Sequence, residues 1–194
     1  MKNKNSLIVC DRDGIINNII YHSDTGNIDS PMSINEIKVF PWVPEILKQL
    51  CDLGFNIVIA TNQPAAAKGK ILYNILYNIH DYIINIAKSK GALILNSYIC
   101  VHRSEDNCDC RKPKTGLLQK AFKDYPEYLI ENSWMIGDRS TDILAGHNYG
   151  LQTALLGPSI PEDKIDEDLL IKNNIKPSYR GKDLRDFYDF IKMK

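Results

Sequence analysis

Two aspartates stand two residues apart in Asp11-Arg12-Asp13-Gly14, directly after the apolar run Leu7–Cys10. At that spacing one carboxylate can act as a nucleophile while the other moves a proton. The Asp11 carboxylate, with a backbone carbonyl nearby, also suits Mg²⁺, a hard cation that prefers oxygen. A surface turn is the competing reading, because Asp and Gly favour turns. An EF-hand loop is excluded, since the twelfth position counted from Asp11 is His22 rather than Glu.

Three further clusters carry polar groups of matching kind. Thr61-Asn62-Gln63 follows the apolar run 55–60 and offers a hydroxyl and two amides to phosphate oxygens. Thr61 or Asn62 would serve equally as a helix N-cap. Arg111-Lys112-Pro113 lies in a polar loop. A fixed lysine there can neutralise a transferring phosphoryl group and the arginine can grip a phosphate with two bonds. A solvated basic pair is the alternative. Gly137-Asp138 is followed by Asp142. Asp138 could complete a Mg²⁺ site with Asp11, and Asp142 could orient the cluster, or both could serve a helix N-terminus. Each signal is weak alone. Together they fall at four strand ends, where parallel sheets bind their ligands.

The five cysteines are Cys10, Cys51, Cys100, Cys108 and Cys110, an odd number that suits a reducing compartment. Cys100-Val101-His102 followed by Cys108-Asp109-Cys110 supplies three thiolates and one imidazole. That is a full tetrahedral set for Zn²⁺, with no position left open, and therefore structural. It would pin residues 100–110 and so hold Arg111 and Lys112 in place. Reduced, unliganded cysteines are the other reading. Cys10 and Cys51 are expected in the core. His80 is expected on the surface of a helix and His147 in the helix after Asp142, while His22 falls in a loop.

The elements that must position these groups alternate strand and helix. Strands are expected at 7–10, 55–60, 95–101, 133–136, 152–156 and 178–180. Helices are expected at 43–53, 71–88, 116–123, 142–149, 161–173 and 184–193. On the long helix the expected apolar face is Leu72, Ile75, Leu76, Ile79, Ile83 and Ile86. The pattern predicts an α/β fold in three layers, α/β/α and Rossmann-like, with a central parallel sheet. One domain is expected over 1–194, with no large cap domain. Residues 16–40 form an irregular stretch long enough to suggest a functional loop.

Composition narrows the partners. Hydrophobic residues make up 44% and charged residues 25%, ordinary for a globular chain. Lys+Arg and Asp+Glu both number 24, so the basic excess of a nucleic-acid binder is missing. The apolar runs are too short to span a bilayer or to form a signal peptide. The expectation is a cytoplasmic monomer acting on a small molecule.

The motif order over residues 7–156 resembles the haloacid dehalogenase superfamily of phosphohydrolases. Within it, the chain is similar to the D-glycero-D-manno-heptose 1,7-bisphosphate phosphatases and their histidinol-phosphatase relatives. The resemblance rests on Asp11-Arg12-Asp13-Gly14, Thr61-Asn62-Gln63, the Cys-x-His and Cys-x-Cys-Arg-Lys-Pro pattern at 100–113, and Gly137-Asp138-Arg139 with Asp142 and Ala145-Gly146. It implies that Asp11 attacks phosphorus and forms an aspartyl phosphate, while Asp13 protonates the leaving oxygen and then activates water. It implies that Thr61 and Lys112 stabilise the phosphoryl group, and that Mg²⁺ binds Asp11, the Asp13 backbone oxygen and Asp138. Arg12, Asn62, Gln63, Arg111 and Arg139 are the expected substrate contacts. The implied substrate is a small phosphorylated sugar, the heptose bisphosphate at its 7-phosphate. Histidinol phosphate is the alternative. A nucleic-acid 3′-phosphatase or a non-catalytic sugar-phosphate-binding protein fits the residues less well. The chain departs from the family at Ile15, at Val101, in Pro64-Ala65-Ala66-Ala67-Lys68-Gly69 and across residues 16–40.

Overall fold

The computed structural model describes residues 5–22, 27–157 and 163–194. The chain runs β1 (Leu7–Cys10), β2 (Ile20–His22), β3 (Asn27–Asp29), α1 (Val43–Asp52), β4 (Asn56–Asn62), α2 (Tyr73–Lys88) and β5 (Ile94–Cys100). It continues through α3 (Gly116–Asp124), β6 (Trp134–Gly137), α4 (Ser140–Tyr149), β7 (Gln152–Leu156), α5 (Asp163–Lys172), β8 (Tyr179–Gly181) and α6 (Leu184–Met193).

Six strands form one parallel sheet in the order β5-β4-β1-β6-β7-β8. All four residues of β1 are fully buried, as a central strand covered on both faces requires. Side chains alternate across it. Ile8 and Cys10 join a core with α1, α2 and α6, while Leu7 and Val9 join a second core with α3 and α4. These two cores are the outer seams of the expected three-layer α/β/α sandwich. The chain moves from β1 to β4 and β5 on one side and returns to β6 on the other. The end of β1 is therefore a topological switch point, with Asp11 directly after it.

The structure differs from the expected elements in several places. The stretch 16–40 is not wholly irregular, because β2 and β3 pair as a short antiparallel hairpin. The helix expected over 71–88 begins at Tyr73, and its buried face is Leu76, Ile79, His80, Ile83, Ile84 and Ala87. Leu72 and Ile75 are exposed, so the true face is rotated from the expected one and takes His80 into the core. Cys51 is only half-buried, whereas Cys10 is sealed. The helix expected at 161–173 is found as α5, with 161–162 outside the described residues, as is the side chain of His22. Among the described residues no helix is long and apolar enough to cross a membrane.

Candidate active site

Three neighbouring strand ends form the floor of a cleft. Asp11 follows β1, Thr61 and Asn62 end β4, and Asp138 follows β6. Thr61 and Asn62 are thus strand residues and cap no helix. Two glycines allow the close approach. A side chain on Gly14 (φ +83°) would meet Asp138 Oδ2 at 2.2 Å, and one on Gly137 would meet Asp142 Oδ2 at 2.2 Å. Asp142 sits in the first turn of α4, where its Oδ2 accepts from the Arg139 backbone N–H at 3.1 Å.

Lys112 enters from the loop after β5 and is only 3% exposed. Its Nζ lies 3.0 Å from Asp11 Oδ1 and 2.5 Å from Asp142 Oδ1, and donates to the Ala60 carbonyl at 2.7 Å. The Ala60 carbonyl accepts a hydrogen bond, while Asp11 Oδ1 and Asp142 Oδ1 are ion-paired with the ammonium but are buried with no hydrogen-bond partner. Burial alone would lower the pKa of Lys112, but Asp11 and Asp142 more than offset that and keep it charged. Its backbone is held as well. Asn62 Nδ2 donates to the Lys112 carbonyl and Asn62 Oδ1 accepts from its N–H, both at 3.1 Å.

The oxygens of Asp11, Asp138 and Asp142 gather within 4.8 Å of one another. Three carboxylates face the Lys112 ammonium and the partly exposed Arg139 guanidinium, 3.8 Å from Asp138 Oδ2, so one negative charge is left over. Burial, then the charges of Asp11 and Asp142, push Asp138 well above the usual carboxylate range. Burial likewise raises Asp142 to about 6, with Lys112 opposing and Asp11 reinforcing it. A divalent cation that prefers oxygen fits this deficit. Asp11 and Asp138 are the pair available to it, since both Asp142 oxygens are engaged, one by Lys112 and the other by the Arg139 N–H. The carboxylate of Asp13 is not part of this group.

Asp13, two residues from Asp11, has the opposite surroundings. Its Oδ1 accepts from Arg12 Nε at 3.0 Å and Asn17 Nδ2 at 2.9 Å. Its Oδ2 accepts from Arg12 Nη2 at 3.1 Å, Gln63 Nε2 at 2.7 Å and Ser30 Oγ at 2.6 Å. Burial would raise its pKa, but the Arg12 charge and these donors carry it down to about 2.

This arrangement corrects two expected substrate contacts. Arg12 is 1% exposed and lies behind Asp13, with Nη1 3.5 Å from His80 Nδ1. Gln63 is also buried, between Asp13 and Thr61 Oγ1. Neither lines the cleft, whereas Asn62, Arg111 and Arg139 do. Asp29, Ser30, Lys68 and Thr141 line it too, although none of them belongs to the four motifs. No sequence signal marks Ser30. His80 did leave one, since it lies in helical register with Leu76, Ile79 and Ile83.

The four expected zinc ligands also come together. Cys110 Sγ lies 3.2 Å from Cys100 Sγ, 3.4 Å from Cys108 Sγ and 3.3 Å from His102 Nδ1. Cys100 Sγ is 3.7 Å from both Cys108 Sγ and His102 Nδ1. Zn–S bonds of about 2.3 Å imply tetrahedron edges of about 3.7 Å, so the donor set fits that ion. Burial and the neighbouring sulfurs push Cys110 up to about 12, so three thiolates can share the space only around a cation. Arg111, the next residue, donates from Nη1 to the carbonyl of His102 at 3.2 Å.

Comparison with known proteins agrees with this geometry. The HAD-hydrolase-like family model matches residues 109–187. The D-glycero-beta-D-manno-heptose-1,7-bisphosphate 7-phosphatase of Helicobacter pylori is 30% identical over 98% of this chain and 99% of its own. The histidine biosynthesis bifunctional protein HisB of Blochmanniella floridana is 36% identical over 75% of this chain, which corresponds to 39% of that protein. The crystal structure of the D,D-heptose 1,7-bisphosphate phosphatase from B. bronchiseptica, complexed with magnesium and phosphate, superposes with a TM-score of 0.78. That match covers 97% of this chain and 98% of the other at 23% identity, and shows the shared fold. The chain belongs to the HAD-like phosphatases, in the family of the heptose 1,7-bisphosphate 7-phosphatases.

Proposed function

We propose that this phosphatase acts on D-glycero-D-manno-heptose 1,7-bisphosphate and releases its 7-phosphate through an aspartyl phosphate on Asp11. The observation that carries the reading is the Lys112 ammonium held 3.0 Å from Asp11 at the base of a cleft that Lys68, Arg111 and Arg139 also line. One phosphate meets the nucleophile there. Cationic groups nearby suit a substrate with a second phosphate better than they suit the ammonium of histidinol phosphate.

In the first half-reaction an Asp11 oxygen attacks phosphorus and the bond from phosphorus to the sugar oxygen breaks. Asp13, which its donors hold ionised at rest, must first take up a proton from the incoming phosphate monoanion or water before it can pass one to that oxygen. Lys112 and the Thr61 hydroxyl neutralise the phosphoryl oxygens as charge shifts, which is most of what such a transfer asks of a protein. In the second half-reaction Asp13 takes a proton from the water that attacks phosphorus, the bond from phosphorus to the Asp11 oxygen breaks, and phosphate and free Asp11 result. Mg²⁺ held by Asp11 and Asp138, with the Asp13 backbone oxygen, would neutralise further phosphoryl charge. Zn²⁺ held by Cys100, His102, Cys108 and Cys110 would fix the loop that presents Arg111 and Lys112.

The test is phosphate release with Mg²⁺ from both anomers of the heptose bisphosphate, with histidinol phosphate alongside. Release from a heptose anomer is expected, and Asp11→Asn should abolish it, because an amide cannot serve as the nucleophile. Undiminished release by that variant would overturn the mechanism. Activity on histidinol phosphate alone would overturn the substrate.

A further inference from the structure

Four of the five hydrogen bonds to Asp13 come from donors sealed behind it, in Arg12, Asn17 and Gln63. The fifth comes from Ser30, which lines the cleft. Ser30 therefore touches Asp13 from the side on which substrate must arrive.

The hairpin delivers Ser30 to that place. Asp29 ends β3, accepts the Ser30 N–H at 2.9 Å and is ion-paired with Lys70. The Lys70 N–H in turn donates to the Ala65 carbonyl at 3.0 Å, in the turn after β4. A strap from the β1–α1 connection is thus latched to a segment that follows a different strand, and the residue next to the latch meets Asp13.

We propose that Ser30 is a positioning residue, whose hydroxyl fixes the cleft-side oxygen of Asp13 for proton transfer to the leaving group. The inference rests on the phosphatase reading above. The Ser30 hydroxyl donates to Oδ2 from the cleft side at 2.6 Å and so aims that oxygen at the leaving group, whereas Arg12, Asn17 and Gln63 hold the carboxylate from behind.

The experiment compares kcat/KM on the sugar phosphate with kcat/KM on p-nitrophenyl phosphate. A sugar alkoxide needs a proton to leave, whereas p-nitrophenolate leaves without one. The ratio kcat/KM reports events up to the first phosphoryl transfer, so later hydrolysis of the aspartyl phosphate does not enter. Ser30→Ala should lose about 10- to 100-fold on the sugar phosphate and less than about 2-fold on the aryl ester, a fraction of the usual general-acid effect. Ser30→Thr should restore most of the loss. Lys70→Met should reproduce part of it with the same dependence on leaving group. Retained aryl activity reports a folded site. Equal losses on both esters would mean a merely structural role, and no loss on either would remove the role altogether, so either result overturns the proposal. A wild-type chain that releases no phosphate from either ester would instead overturn the phosphatase reading beneath it.

Discussion

The strand-end carboxylates and the cysteine loop each gather groups that fit a cation, but they are built by opposite means. Asp11, Asp138 and Asp142 meet because three separate elements of a buried parallel sandwich converge, and Gly14 and Gly137 leave room for them. Cys100, His102, Cys108 and Cys110 meet within eleven consecutive residues, of which only Cys100 is fully buried. The first site is held by the fold before any ion arrives. The second is a polar loop with little apolar area to give it shape, so its sulfur ligands must do what a core does elsewhere. Lys112 joins the two. By sequence it belongs to the loop, and by contact it belongs to the carboxylates.

Breaking that joint should have the largest effect. Lys112→Met removes the partner of Asp11 and Asp142 and strands the Ala60 carbonyl. Uncompensated buried charge of this kind costs about 3–5 kcal/mol. Loss of a charge-stabilising group at a phosphoryl site lowers kcat by about 100- to 1,000-fold. Steady-state kinetics and urea denaturation would measure both. A variant with unaltered stability would mean that the buried ammonium is not what balances these carboxylates.

Removing a proposed zinc ligand tests the other side of the comparison and should act less strongly. Metal analysis is expected to find about one zinc per chain, and Cys110→Ser should lower that content. Because Arg111 and Lys112 follow Cys110 directly, kcat/KM should fall by about 10- to 100-fold, in keeping with changes just outside a metal's ligands. Asn62 still clamps the Lys112 backbone from β4, so activity should persist at a reduced level. Wild-type protein without zinc but with full activity and stability would remove the loop's proposed role.

The same contrast explains what the sequence disclosed. Asp11, Thr61, Lys112, Asp138 and Asp142 could be read because buried strands are short apolar runs, and parallel topology brings their ends together. The Cys/His cluster could be read because soft donors gather along the chain. The surroundings of Asp13 could not. Adjacent residues such as Arg12 and Asp13 carry no spacing signal for an ion pair, and two three-residue strands are too short for periodicity to reveal. Arg12, expected among the substrate contacts, turns its guanidinium inward to Asp13 instead. His80 was legible in principle, but choosing Leu72 and Ile75 as the apolar face rotated the helix and placed His80 outside.

That buried histidine supplies the most local test. His80 is 2% exposed, and burial followed by the Arg12 charge lowers its pKa from 6.5 to about 4. Beside a guanidinium, which only donates, its Nδ1 must accept and the ring must be neutral. Because the folded value lies below the free one, the unfolded chain takes up the proton first. This contribution to stability is complete above pH 6.5 and is lost as pH falls toward about 4. A shift of that size corresponds to about 3 kcal/mol over the window. Urea denaturation of wild type and His80→Gln at successive pH values isolates the difference, since their other titrating groups are shared. The wild-type curve should fall more steeply between pH 6.5 and 4, with the two slopes converging above pH 7. Parallel curves throughout would mean that His80 is as free to protonate in the fold as outside it, and that the donors around Asp13 have no neutral ring behind them.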